Sequence, residues 1–400
     1  MQWSTVHFHV RTPLFSGTGP GQQLSIPGIR GALGFWLRAL LGAEVGENTE
    51  TGERFGTLAA RQATVLGMGG RNPRCSPVAM RWAAAPPVPN LSEPGITDEA
   101  QRVPRWVAGR PGMRYLLGQG LWTHRPATAD PTDTRGLQRP WLDAGTGFDV
   151  GVRLPTDPAS RELFFATLWL LSNFGGLGAR TRRGFGQVTL TLPGDGQPGW
   201  WDQPARLDDE TGLPAALAHL VTVSTDRDEP SYPRFGLCRT GPTALTSHRN
   251  IDTRSTSEHD EIHHVHNVLG TRWRAFRADH QSSGERPTRY TTEYRDVIAS
   301  DATTDFPLAN LGLPVVFDQK DVKVNLHHDG KPLRLGSPHW LRPEASGYRM
   351  LTFVHTLCPA GAALVASHRP DTPLAGLDPV KTRVIHTAWN NFDGKKSNWR

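Results

Sequence analysis

Cysteine is scarce: Cys75, Cys238 and Cys358 are the only three in 400 residues, far apart and in no Cys-x-x-Cys spacing. That excludes a disulfide framework and a thiolate zinc site, and it fits a reducing compartment. Long apolar runs are also missing, and none approaches the roughly 20 residues that span a bilayer. The first residues, MQWSTVHFHVRTP, alternate in polarity where a secretory signal would run basic and then apolar. The expected location is therefore cytoplasmic, away from membranes. Apolar residues make up only 37%, whereas 42 Gly and 33 Pro exceed average usage, so long irregular connections are expected. Nor is there a strong charge of one sign. Lys and Arg total 44 against 38 Asp and Glu, a net +6 with a pI near 9.5, which suits a polyanionic partner but decides nothing until the arginines are placed.

What is present is alternation and helical spacing in turn. Val6, Phe8 and Val10 alternate with Thr5, His7, His9 and Arg11, the pattern of a half-buried strand. After a turn-rich stretch, Ile29, Leu33, Trp36, Leu37, Leu40 and Leu41 fall on one side of a helix, with Arg30, Gly34 and Arg38 on the other. Strands follow at Val78–Trp82 and Phe148–Leu154, separated by a long insertion rich in Pro, Gly and Arg. Asp157-Pro158 opens a second, almost wholly apolar helix, and Val188, Leu190 and Leu192 mark a last strand. The order is βαββαβ, the ferredoxin-like split motif. Periodicity is lost around PGDGQPGWWDQPARLDDETGLP. The fold class expected is α+β: two ferredoxin-like, RRM-like domains packed together with long loop insertions, over residues 1–195 and 215–400, joined by a linker at 196–214. In the second domain ALAHLVTVS reads as the first strand, HHVHNVLGTRWRAF as a helix, and LPVVF and RMLTFVHTL as later strands. The polar stretches 248–261 and 279–305 read as mobile insertions.

The most informative segment runs from Gly175 to Gly186, GGLGARTRRGFG, with five glycines and the arginines Arg180, Arg182 and Arg183. Glycines such as Gly176, Gly178 and Gly184 permit left-handed backbone and close approach of another chain. Guanidinium groups grip phosphate oxygens bidentately and stay charged. Nucleotide loops run strand, glycine loop, helix; this one runs helix, loop, strand, at the negative end of its helix. That disfavours a NAD or ATP site, and no cofactor is expected. A solvated loop with arginines paired to carboxylates is the competing reading.

GGLGARTRRGFGQV resembles the glycine-rich signature of the RAMP superfamily, RNA-binding proteins of CRISPR systems with this ferredoxin-like topology. TPLFSGTG, IRGALGFWLRALLG and ERFG, with LGLPVVF and RLGSPHWLRP later, resemble the RAMP subunit that caps the type III-B (Cmr) effector complex. That helix departs from the family pattern at Gly34, where an arginine is usual, and at Leu37, where a second tryptophan is. The resemblance implies a non-catalytic protein that binds guide RNA near its 3′ end and helps capture target single-stranded RNA. Its partners would be other RAMP subunits and the large subunit of the complex. Contacts to phosphate and sugar are expected, because guide sequences vary. The expected contact residues are Arg30, Arg38, Gly176, Gly178, Arg180, Arg182, Arg183 and Gly184. Arg30 and Arg38 share a helix face about 12 Å apart, a span suited to two phosphates.

Other constellations offer rival readings. His259-Asp260-Glu261-Ile262-His263 approaches the zincin HExxH pattern without its general-base Glu and with no third ligand marked, so no metal is expected. His7 and His9 on one strand face suit metal-independent cleavage of CRISPR repeat RNA, the alternative to a binding-only role. Arg102, Arg105, Arg110 and Arg114 surround Trp106, an arrangement suited to single-stranded RNA. Trp273 lies at core spacing on the second domain's helix, beside Arg272, Arg274 and Arg277. Trp106 is therefore the expected stacking ring.

Overall fold

In a computed structural model the described residues are 3–16, 24–44, 51–67, 73–89, 104, 106–118, 121–123, 136–137, 139–192, 196–208, 211–223, 235, 257–278, 309, 311, 315–317, 322–333, 336–345, 347–353, 362–367, 369–374 and 389. The first half contains β1 (Ser4–Val10), α1 (Ile26–Leu41), α2 (Thr51–Leu66), β2 (Ala79–Trp82), α3 (Pro111–Leu117), β3 (Trp122–Thr123), β4 (Gly136–Leu137), β5 (Gly147–Arg153), α4 (Pro158–Phe174) and β6 (Val188–Thr191). In the second half come α5 (Glu258–Ala278), β7 (Val315–Phe317), β8 (Val322–His328), β9 (Lys331–Leu333), β10 (His339–Glu344), β11 (Gly347–Thr352), β12 (Ala363–Ala366) and β13 (Arg369–Leu374). The protein is a mixed α/β structure with antiparallel sheets.

Local chemistry starts the two main helices of the first half. The Ser25 hydroxyl accepts from Gly28 N at 3.1 Å, and Pro27 occupies the first turn of α1. Asp157 caps α4 in the same way through Ser160 N at 2.8 Å, with Pro158 next. The strands pair in the order β2-β5-β1-β6, all antiparallel, which is the order a βαββαβ chain produces. Val6 faces Val150, Phe8 faces Phe148 and Leu190, and Val10 faces Val188. Those residues are buried with Leu33, Trp36, Leu40, Phe164 and Leu168 of α1 and α4. The alternate positions, among them Thr5, His7 and His9, face away from the helices.

The second half departs from expectation. Among its described residues one helix, α5, precedes all the strands, and no second βαββαβ order is traced. The strands form a β10–β11 hairpin and a sheet β13-β12-β8-β7, with β9 added to β8. Most of the expected strand, 216–224, falls within residues 213–223, which form a short 3-10 turn over Ala215–Leu217 and then loop. Their inward residues, Leu213, Ala216, Leu217 and Val221, are spaced as in helical turns and pack into the first core. Within the expected linker, Trp200 and Trp201 are buried, and Trp169 Nε1 donates to Trp201 O at 2.8 Å. The polar stretch 248–261 was expected to be mobile, yet Glu258–Glu261 open α5, where Ser257 Oγ and Asp260 cap the first turn. The stretch 279–305 lies outside the described residues.

Two cores knit the halves together. The first, on the four-stranded sheet, takes Trp340, Leu351 and Phe353 from the hairpin. In the second, Phe15, Trp106, Met113, Leu117 and Phe185 meet Val265, Leu269 and Trp273 of α5. Helices α3 and α5 touch backbone to backbone where Gly112 meets Gly270; a Cβ on either would strike the other chain. No described helix is long and apolar enough to cross a membrane.

Candidate functional site

The glycine-rich loop lies tied to the segment that follows β1. Leu177 N donates to Gly186 O and Ala179 N to Phe15 O, both at 2.8 Å, and Gly186 N donates to Pro13 O at 2.9 Å. The buried Thr12 hydroxyl donates to Gly184 O at 2.9 Å and accepts from Gln187 N at 3.0 Å. Gly178, at φ +81°, lies against the Phe15 carbonyl, and Gly186, at φ +67°, against that of Leu177. A Cβ on Gly176 would sit 2.8 Å from Gly186 O, and one on Gly184 would sit 2.6 Å from the Pro343 ring. The space that the missing side chains of these glycines leave is filled by the protein's own chain, so they fold the loop tightly.

That tight loop sends its arginines in different directions. Arg180 adopts a left-handed conformation, φ 62°, and is exposed. The Arg183 carbonyl accepts from His266 Nε2 at 2.8 Å, and its guanidinium lies 6.0 Å from the Trp273 ring. Arg182 turns toward a cleft. Its Nη1 donates to Ser337 O at 3.0 Å, and its guanidinium lies 5.2 Å from the Trp340 ring and 5.7 Å from Phe35. Burial lowers both Arg182 and Arg183 to about 10, with the neighbouring Arg277 adding to the effect on Arg183. Both remain cations at neutral pH.

The cleft, about 610 Å³, is bounded by one side of α1, the loop and β10. Phe35 and Trp340, with ring centroids 5.0 Å apart, make its apolar wall. Ser16, Ser25 and Thr181 supply hydroxyls, Gly176 and Gly178 contribute backbone, and Arg182 is its charged group. No acidic residue lines it among the described residues. An aromatic wall, a fixed cation and hydroxyl donors together suit a nucleotide, which offers a π-face, phosphate oxygens and a ribose.

The other expected site residues are elsewhere. Arg30 Nη2 bonds Leu66 O, and Arg38 Nη1 donates to Gln62 Oε1 at 2.9 Å, so both bind α1 to α2. The physical reason is that the last carbonyls of α2 lack intrahelical donors. The cleft uses the other side of α1, through Gly28, Ala32, Phe35 and Trp36. Trp106 is corrected as well: at 8% exposure it packs among Phe15, Trp141 and Phe185, and so is closed to a stacking base. The reason is that the insertion folds onto α5. Trp273, 1% exposed, is in the same core. Arg102 and Arg105 lie outside the described residues.

Histidines divide by depth. His7 is exposed, its Nδ1 2.6 Å from Asp149 Oδ1. His9 lies 5.8 Å from the His259 ring and is lowered by partial burial and then by His259. Desolvation, followed by Arg110, holds His263 down to about 3; desolvation holds His266 to about 4. Phe35 and Trp340 escaped the sequence reading. Phe35 falls between the core stripe and the arginine face of α1, and only the tertiary pairing of α1 with β10 marks it.

Residues 7–189 match the model of the RAMP superfamily. No curated protein matches the chain in sequence. Among solved structures, apo Cmr1 from Pyrococcus furiosus is 15% identical over 90% of each chain, with a TM-score of 0.49. A chain of the type III-B Cmr-beta complex bound to cognate target RNA is 10% identical, covering 98% of this chain and 100% of that one, with a TM-score of 0.45. The residues that match the RAMP superfamily model, 7–189, are those that form the four-stranded sheet, its helices and the glycine-rich loop.

Proposed function

We propose that the chain is a non-catalytic, RNA-binding subunit of a type III-B CRISPR effector complex. It holds guide RNA near its 3′ end and helps capture target RNA, with other RAMP subunits and the large subunit as neighbours. The observation that carries this reading is the cleft in which Arg182 lies beside Phe35 and Trp340, with no acidic residue in its lining among the described residues. The match of residues 7–189 to the RAMP superfamily model supports it. So does the fixed loop, which presents Arg180 and Arg182 without an ordering cost on binding. The reading includes two ferredoxin-like units, the first supported by the strand order β2-β5-β1-β6.

The test is binding of single-stranded RNA across a salt series by wild type, Arg182→Ala and the Arg180/Arg182/Arg183→Ala triple variant. Each lost phosphate contact should lower the salt slope by about 0.7, leaving the RNA intact. Equal slopes in all three proteins would remove the loop from the RNA surface. The His7–Asp149 pair favours a second reading, metal-independent RNA cleavage, because a carboxylate orients an imidazole for proton transfer. RNA cut in chelator by wild type, and left whole by His7→Ala, would favour that enzyme.

A further inference from the structure

The face of the first sheet turned away from α1 and α4 carries charges that the cleft does not use. Gly151 lies at its centre, opposite Thr5 of β1 and Arg81 of β2. A Cβ at Gly151 would meet Arg81 Cγ at 3.4 Å and the Trp3 ring at 3.5 Å, so both side chains lie down over the glycine. The Arg81 guanidinium lies 4.1 Å from the Trp3 centroid, and that of Arg153 lies 5.9 Å from it. Neither arginine is paired with a carboxylate among the described residues. The nearby Asp149 is engaged by His7. Among the described residues, the far end of this face is covered, where α5 meets β1 through His9–His259 and Arg11–Glu258.

We infer that this face is a second single-stranded RNA surface, on which Trp3 and Arg81 stack a base while Arg153 meets the phosphate. It goes beyond the cleft and uses different residues. Flatness and charge favour a nucleic acid: a guanidinium laid on an indole presents its outer plane to a further π-face, and two cations without an acidic partner among the described residues suit an anion. Sheets of four antiparallel strands present bases with such rings. Gly151 keeps the platform level, since a Cβ there would already be in van der Waals contact with Trp3 and Arg81 and a longer side chain would displace them.

Cross-linking of full-length protein to a 4-thiouridine-substituted oligouridylate, with mapping of the modified peptides, tests this directly. Cross-links are expected at Trp3 or on the segments around Arg81 and Arg153. The Arg81→Gln/Arg153→Gln variant should lower the salt slope by about 0.7, for the one phosphate-facing cation, Arg153, and weaken binding further through the lost stack of Arg81. Trp3→Leu should weaken binding about tenfold. The arginines lie at the surface, so their variant keeps its fold, with thermal melting as the check. An unchanged slope with no cross-link on this face overturns the inference and leaves the cleft reading standing. Conversely, a loss in the arginine pair variant, with the loop variants still binding as wild type, keeps the inference and sinks the cleft. Loss of polyglutamate binding with unchanged RNA binding would assign the face to an acidic protein and likewise overturn it.

Discussion

Arg182 differs from Arg180 and Arg183 in where its guanidinium ends: beside two rings and above a cleft. Arg182→Ala should therefore weaken RNA binding more than Arg183→Ala, whose guanidinium is turned toward Trp273. Filter binding at two salt concentrations separates the two. Phe35→Ala should cost about fivefold or more in affinity with no change in salt slope, because a ring contributes stacking and no charge. His263 and His266 make a different prediction. Their folded values, about 3 and about 4, lie below the ordinary 6.5, so from about pH 6.5 downward the unfolded chain binds protons that the folded chain refuses. Stability present above that pH is lost on acidification, at about 1.4 kcal/mol per pH unit for each histidine. Urea unfolding from pH 6 to pH 4.5 should show this, and His263→Leu should reduce the slope by about half.

At the level of elements, β1, β2, β5, β6, α1 and α4 follow their own sequence signals closely, whereas α2, α3, β3 and β4 are not read from the sequence. Alternation in β1 and the caps Ser25 and Asp157 are local facts, and the elements form where they predict. Residues 216–223 do not, because Ala216, Leu217 and Val221 are drawn into the first core and take the spacing of a turn. The α3–α5 crossing was invisible in sequence, since a glycine in a helix is usually only a weak spot. Here Gly270 admits the Gly112 backbone. Gly270→Ala should destabilise by about 3 kcal/mol, as an overpacked contact with no side chain to yield. A shift in denaturant midpoint at constant slope would check it.

Across the whole molecule, the two halves exchange core residues: Trp340 and Phe353 complete the first core, and Phe15, Trp106 and Phe185 complete the second. Full-length protein should then unfold in one transition by fluorescence and circular dichroism alike. The fragment 1–195 should aggregate or lose its near-ultraviolet signal, because Phe35 and Trp36 would lose the Trp340 and Phe353 rings that cover them. A soluble fragment with a native-like signal would count against shared cores. The same exchange explains how Trp106, chosen from sequence for its arginine neighbours, becomes a core residue. Charge beside a ring says nothing of which element will pack over it.

By itself, the sequence determined the βαββαβ frame of the first half: which residues alternate, where α1 and α4 start, which loop gathers glycine and arginine, and which superfamily that half resembles. All are short-range patterns, set by backbone sterics, capping and spacing. Only the tertiary structure decided the site. Whether an arginine clamps a neighbouring helix, as Arg30 does, or faces a cleft, as Arg182 does, depends on which element packs beside it. Phe35 and Trp340 are 305 residues apart in sequence and 5.0 Å apart in space; their pairing arises from burial of the hairpin against α1, a long-range event that no local pattern encodes.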